Sequence, residues 1–120
     1  MRALSKGSIF YLISAFTILG IRVGVFLHPT GKIRLSGVPI HHFWIGCALM
    51  AFAFTIPRKG SYAKLTLFSF GFAGFADELA FMLRGDGSLA NYWSLYSVLG
   101  VLIVMATTFF FKNKLIKQII

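Results

Sequence analysis

The stretch "LTLFSFGFAGFADELAFML", residues 65–83, is apolar and long enough to cross the roughly 30 Å hydrocarbon core of a bilayer as a helix. It nevertheless contains Asp77 and Glu78, two of the three acidic residues in the chain. Ionisable groups at membrane depth cost about 2.5–3.5 kcal/mol each on insertion scales, and they normally point into a helix bundle or a wet cavity. The stretch therefore predicts a helix that turns a polar site toward other helices.

The composition of the 120-residue chain is typical of a membrane protein. Hydrophobic residues make up 58% and charged residues 12%, and the mean hydropathy is +0.81, whereas soluble domains carry about 25% charged residues. The net charge of +9 comes from Lys and Arg scattered between apolar runs. Such charges set topology and contact anionic headgroups, so nucleic acid is excluded as a partner. The lone cysteine, Cys47, lies in an apolar segment and is interpreted as a small apolar residue.

Four segments are long and apolar enough to be transmembrane helices. They are residues 9–27, 40–56, 65–83 and 92–111, and Pro39 and Pro57 flank the second. Short connections with turn residues predict an all-α fold, in which residues 1–120 form one antiparallel bundle of four transmembrane helices. The first segment is longer than the roughly 7–15 apolar residues of a signal peptide and lacks a small-x-small cleavage site, so we expect it to be retained.

The Lys and Arg residues between the segments predict the orientation. One side of the membrane collects eight of them: Arg2, Lys6, Arg58, Lys59, Lys64, Lys112, Lys114 and Lys117. The opposite side collects Lys32, Arg34 and Arg84. Because positive residues favour the cytoplasmic side, we expect a protein of the cytoplasmic (inner) membrane with both termini in the cytoplasm. Trp44, Tyr92 and Trp93 then fit the outer interfacial belt.

This topology gathers the polar residues in the outer half of the bundle. All His, Asp and Glu residues of the chain fall in this outer half, together with Arg22. They are His28, His41, His42, Asp77, Glu78 and Asp86. Small residues line the faces beside them, with Gly71 and Gly74 preceding Glu78 on the third helix and Gly46 following His42 on the second. Packing these faces together is expected to bring His42 toward Glu78 and His41 toward Asp77.

The order of these motifs resembles a family of small multi-pass membrane proteins from bacteria and archaea. Their pattern, I-H-H-x-x-x-G, then G-x-x-x-D-E, then Y-W-S, is carried here by Ile40, His41, His42, Gly46, Asp77, Glu78, Tyr92, Trp93 and Ser94. Members often have a further His before the pair, where this chain has Val38 and Pro39, and Gly74 is separated from the Asp-Glu pair by "FA". The resemblance implies a multi-pass membrane fold and no particular activity.

The first functional hypothesis is a metal site. His41, His42, Asp77 and Glu78, with His28 as a third imidazole, are suitable ligands for zinc, iron or manganese. A metal there would suit an enzyme acting on a lipid or another amphiphilic substrate, with Glu78 or Asp77 as the catalytic base. Adjacent residues on a helix point about 100° apart, however, so both histidines reach one ion only if the first turn is distorted.

Two other hypotheses use the same residues. Carboxylates beside histidines relay protons or coordinate cations, which would suit a proton or metal-ion transporter or channel acting as a homo-oligomer. Alternatively, Arg22 pairs with Asp77 or Glu78 inside the bundle and fixes the helix arrangement in a structural subunit of a larger membrane complex. The three hypotheses differ in the cation that the carboxylates hold, which is a metal ion, a proton or an arginine.

Overall fold

Four helices form most of the chain in the computed structural model, which describes residues 2–28, 34–35, 38–39, 41–57, 61–84 and 92–119. The helices are α1 (Lys6–Leu27), α2 (His42–Ala53), α3 (Tyr62–Arg84) and α4 (Leu95–Ile119). Between α1 and α2, strands β1 (Arg34–Leu35) and β2 (Val38–Pro39) pair antiparallel, with Arg34 opposite Pro39. The helical class is as predicted, and the short strand pair is an addition to it.

Contacts between the helix ends establish an antiparallel order. At one end, the Ser5 hydroxyl before α1 donates to Asn113 Oδ1 near the end of α4 at 2.9 Å. Lys6 lies over the ring of Tyr62, the first residue of α3, at 5.4 Å. Because α1 and α3 start where α4 ends, and the start of α2 lies beside the last third of α3 through His42 and Asp77, successive helices alternate in direction. We call this end, which also holds Lys64 and Lys112, the basic end.

Helix α3 is the centre of the arrangement. It packs against α1, α2 and α4, and α1 also packs against α4, whereas α2 contacts only α3 among the described helices. The buried apolar residues form two clusters along α3. The first, toward the basic end, is Phe10, Ala53, Leu65, Phe68 and Ile116. The second is Ile18, Ala73, Ala76, Val101 and Met105.

Glycines allow α2 and α3 to approach closely, as the small-residue faces predicted. A Cβ atom added to Gly46 would lie 2.5 Å from Gly71 O and from Phe75 N. A Cβ atom added to Gly71 would in turn lie 2.7 Å from Gly46 O. Backbone-to-backbone contact of this kind is the usual way in which small residues join helices in membranes. It brings the first residues of α2 against the last third of α3.

The helix boundaries differ from the predicted segments at two places. Helix α2 has 12 residues, so at about 1.5 Å per residue it is only about 18 Å long. After α2 the backbone continues in tighter, 3₁₀-type turns toward Pro57. The N–H groups of Phe54, Thr55 and Ile56 each donate to the carbonyl oxygen three residues earlier. Helix α4 begins later than predicted and continues to Ile119, because Leu115, Ile116 and Ile119 pack against the first apolar cluster.

Among the helices that the structure describes, α1 and α4 are long and apolar enough to cross a membrane. The predicted second segment yields a helix that is too short for this criterion, and α3 has charged residues at Lys64, Asp77, Glu78 and Arg84. Lys32, Ile40, Arg58, Lys59 and Asp86, which the sequence analysis placed in loops or motifs, lie outside the described residues.

We expect Gly46→Ala to lower the free energy of unfolding by about 1–3 kcal/mol, because the added methyl group forces α2 away from α3. Gly24→Ala is the matched control, since a Cβ atom there meets nothing within 4 Å. The control should leave stability unchanged or raise it by up to about 1 kcal/mol through helix propensity. Denaturant titration in detergent micelles measures both variants, and equal stabilities would contradict the close packing.

Candidate functional site

Asp77 on α3 is fully buried, and donors from three other segments converge on its carboxylate. Arg22 Nε on α1 donates to Oδ1 at 2.6 Å. The Tyr92 hydroxyl, which precedes α4, donates to Oδ2 at 2.5 Å, and His42 Nε2 on α2 lies 2.7 Å from the same oxygen. Asp77 therefore connects all four helical segments at the end of the bundle opposite the basic end.

Arg22 is held by more than this ion pair. Its Nη1 donates to the carbonyl oxygen of Tyr92 at 2.7 Å, and its Nη2 donates to Asp77 O at 3.1 Å and to Ser97 Oγ at 3.2 Å. The guanidinium also stacks over the Tyr92 ring, with Cζ 3.9 Å from the ring centroid. Planar guanidinium groups suit such multiple contacts. Arg22 thus fixes α1 to α3 and to the start of α4.

His42 lies between the two carboxylates of α3. Its Nε2 faces Asp77 Oδ2 at 2.7 Å, and its Nδ1 faces Glu78 Oε1 at 2.9 Å. A neutral imidazole has one N–H, whereas an imidazolium has two. Two ionised carboxylates therefore match a protonated ring, and otherwise one of the facing carboxyl groups has to carry the proton.

Glu78 binds the beginning of α2. Its Oε2 accepts the backbone N–H of Phe43 at 3.2 Å and lies 3.8 Å from His41 Nδ1. His41 is the residue that caps α2, and its own side chain makes no capping hydrogen bond. Glu78 supplies that acceptor from the neighbouring helix, and its charge suits the positive end of the helix dipole.

The structure brings together five of the residues predicted for the site. Together with two additional residues, they form what we call the polar cluster, which consists of Arg22, His41, His42, Asp77, Glu78, Tyr92 and Ser97. His41 has an extended backbone, with φ −72° and ψ 142°, so it is not limited to helical geometry and reaches the same carboxylate as His42. The expected pairing changes accordingly, because His42 contacts both carboxylates and His41 lies beside Glu78.

His28 lies apart from the polar cluster among the described contacts. It is exposed at the C-terminal end of α1, where its backbone N–H donates to Gly24 O. Asp86 lies outside the described residues.

Tyr92 and Ser97 are the members of the polar cluster that the sequence analysis missed. Tyr92 was assigned to the interfacial belt, yet it is buried with its hydroxyl on Asp77. Ser97 is also buried, one turn into α4. The Y-W-S motif was the available signal for Tyr92, whereas nothing distinguished Ser97 from the other serines of the chain.

No protein-family model, curated protein or solved structure matches the chain. The resemblance to the I-H-H, D-E and Y-W-S family therefore stays a prediction, and the polar cluster has to be interpreted from its own geometry.

The geometry of the polar cluster favours ion pairs over metal ligation. Among the described residues, no group of three or more His, Cys, Asp and Glu side chains is arranged to hold a metal ion. Both ring nitrogens of His42 face carboxylates, and both oxygens of Asp77 accept hydrogen bonds. No buried side-chain nitrogen or oxygen in the described part of the chain lacks a hydrogen-bond partner. The zinc, iron or manganese site stays a prediction.

We expect Asp77→Asn to lower the free energy of unfolding by about 3–5 kcal/mol, because it leaves Arg22 partly buried without its charge partner. Glu78→Gln is the matched control, with the same chemical change on the adjacent residue. Glu78 contacts His42, His41 and the Phe43 N–H and has no contact with Arg22 among the described interactions, so we expect a smaller cost of about 1–3 kcal/mol. Denaturant titration in micelles compares the two, and a larger loss for Glu78→Gln would contradict the central position of Asp77.

Proposed function

We propose that this chain is a multi-pass membrane protein whose polar cluster binds one exchangeable proton on the outer side of the membrane and supplies it for acid–base chemistry. The observation that carries the proposal is the position of His42, with one ring nitrogen on Asp77 and the other on Glu78. The alternatives are a metal-dependent enzyme, a transporter and a structural subunit.

The exposed surface supports the membrane placement. Large apolar side chains project from the outward faces of α1 and α4, the described helices that are long and apolar enough to span a membrane. They include Phe16, Phe26, Ile103 and Phe110, which are 65–80% exposed. Exposed apolar area of this extent costs free energy in water and none in lipid. Helix α3 carries the buried charges and is surrounded by the other three helices, as intramembrane charges require.

The charge balance of the polar cluster supports a bound proton. Arg22 contributes one positive charge, and ionised Asp77 and Glu78 contribute two negative charges. A proton on His42 brings the sum to zero, which is the favoured state where the dielectric constant is low. The distances of 2.7 and 2.9 Å on either side of the ring form a continuous path from Asp77 to Glu78. The proton can therefore change its carrier without movement of the backbone.

Access to this proton is one-sided in a single copy of the chain. The side chains of His41 and His42 are each 25% exposed at their end of the bundle. In the opposite direction, the second apolar cluster, which includes Ile18, Ala76 and Met105, packs beneath the polar cluster. This arrangement favours a proton donor and acceptor over a channel, which would need a polar path through both apolar clusters.

The distribution of basic residues supports the orientation. Among the described residues, Arg2, Lys6, Lys64 and the three lysines at the end of α4 lie toward the basic end. Positive residues favour the cytoplasm, so the polar cluster faces outward from the cytoplasmic membrane.

The test is ¹⁵N NMR of histidine-labelled protein in lipid nanodiscs at neutral pH. We expect one imidazole with both nitrogens protonated, because both face carboxylates. That signal should disappear in His42→Gln and persist in His28→Gln, which changes an exposed histidine away from the polar cluster. A His42 ring with a single N–H while both carboxylates are ionised would contradict the proposal.

Two further results would overturn it. Stoichiometric metal in the protein after gentle extraction, lost in both His41→Ala and Glu78→Ala, would establish the metal site instead. Proton flux through liposomes that depends on Asp77 would establish a transporter. Absence of both, together with the doubly protonated ring, supports the one-sided proton site.

A further inference from the structure

A groove between α1 and α4 leads to the polar cluster from the lipid-facing side. Its volume is about 430 Å³, within the range of about 300–1,000 Å³ that is usual for ligand pockets. The lining residues from α1 are Tyr11, Ala15, Ile18, Leu19 and Arg22, and those from α4 and the residues before it are Trp93, Val98, Val101, Leu102 and Met105. Since Tyr11 and Arg22 are 11 positions apart, the groove is about 16 Å long.

The groove is apolar along its length and polar at one end. Its walls are formed by aliphatic and aromatic side chains from the Tyr11 and Met105 end onward. Its single charged residue, Arg22, lies at the opposite end, next to Trp93. Leu19 and Leu102 on opposite walls are both more than half exposed. An elongated apolar ligand can therefore enter sideways from the bilayer, with a polar head at the Arg22 end.

Within the described part of the chain, one N–H of Arg22 is left for such a head. A guanidinium has five N–H groups, and the contacts among the described residues use four of them. The remaining N–H is on Nη1, which donates once, to Tyr92 O. Guanidinium groups bind carboxylates well, and the aromatic side chain of Trp93 lines the same end of the groove.

The depth of Arg22 limits the size of the head. Arg22 lies five residues before the end of α1, about 8 Å below that end of the helix. A phosphodiester headgroup would have to leave the headgroup layer to reach this depth. A carboxylate at the end of a single chain is small enough to follow the chain down.

We propose that this groove binds a long-chain fatty acid, with its chain between α1 and α4 and its carboxylate on Arg22. This inference rests on the membrane placement proposed above. It identifies an amphiphile whose carboxylate contacts Arg22, which in turn contacts Asp77 of the polar cluster. Arg22 then has two anionic partners, Asp77 on one side and the ligand on the other. The ligand adds one negative charge to the polar cluster, so its binding favours a proton on His42.

The experiment uses a photoactivatable fatty acid with the full chain in nanodiscs, followed by mass spectrometry of the labelled peptides. We expect labelling of α1 and α4 at the groove, and at least tenfold weaker labelling by the fatty alcohol of equal length. Equal labelling by acid and alcohol would overturn the role of Arg22. Preferential labelling by a photoactivatable phosphatidylglycerol would overturn the choice of a single-chain ligand.

Groove variants test the location. Ala15→Phe fills the groove and should reduce labelling at least tenfold, whereas Ala51→Phe places the same group on the exposed face of α2 as a control. Because Ala15 also packs against the second apolar cluster, Leu102→Gln provides a second variant at an exposed groove position, with Leu99→Gln as its control outside the groove lining. Undiminished labelling in both groove variants would overturn the proposal.

The His42 ring signal separates the two proposals. If labelling at the groove is lacking while the doubly protonated His42 signal is present, only the fatty-acid inference fails. If labelling at the groove is found and His42 has a single N–H while Asp77 and Glu78 are both ionised, the proton site fails and the groove stands.

Discussion

The ion pair between Arg22 and Asp77 is the interaction on which the rest of the structure depends. Asp77 is fully buried in a chain whose surroundings are largely apolar, so its charge has to be compensated on the spot. Arg22 provides that compensation and at the same time reaches the backbone before α4 and the Ser97 hydroxyl. The central position of α3 follows from this requirement, because it shields the carboxylates with the other three helices.

The second carboxylate has a different task, and the difference explains why two acidic residues stand side by side. Glu78 closes the N-terminal end of α2, where the histidine at the cap supplies no acceptor of its own. His42 joins the two carboxylates and brings the charge of the polar cluster to zero when it carries a proton. His42, the residue that would carry the proton, thus belongs to the same polar cluster that holds the helices together. The stability of the bundle and the binding of the proton therefore depend on the same contacts.

The sequence predicted the helical class, the alternating order and the meeting of Arg22, His41, His42, Asp77 and Glu78, because apolar runs and the ionisable residues within them are strong local signals. It did not predict that α2 has only 12 residues or that, among the described helices, α2 packs against α3 alone, since both depend on tertiary contacts. Tyr92 and Ser97 were missed because an aromatic residue at a helix start also fits a membrane interface, and a serine fits almost anywhere. Adjacent residues on a regular helix point about 100° apart, but His41 precedes α2 with an extended backbone and so reaches the same carboxylate as His42.

A double-mutant cycle between Arg22→Leu and Asp77→Asn tests the central ion pair most directly. Unfolding of the wild type, both single variants and the double variant is followed in the same micelles, with Arg2→Leu as a control for the loss of an exposed arginine. We expect a coupling free energy of about 2–3 kcal/mol, as for residues in direct contact. Additive effects, within about 0.5 kcal/mol, would contradict it.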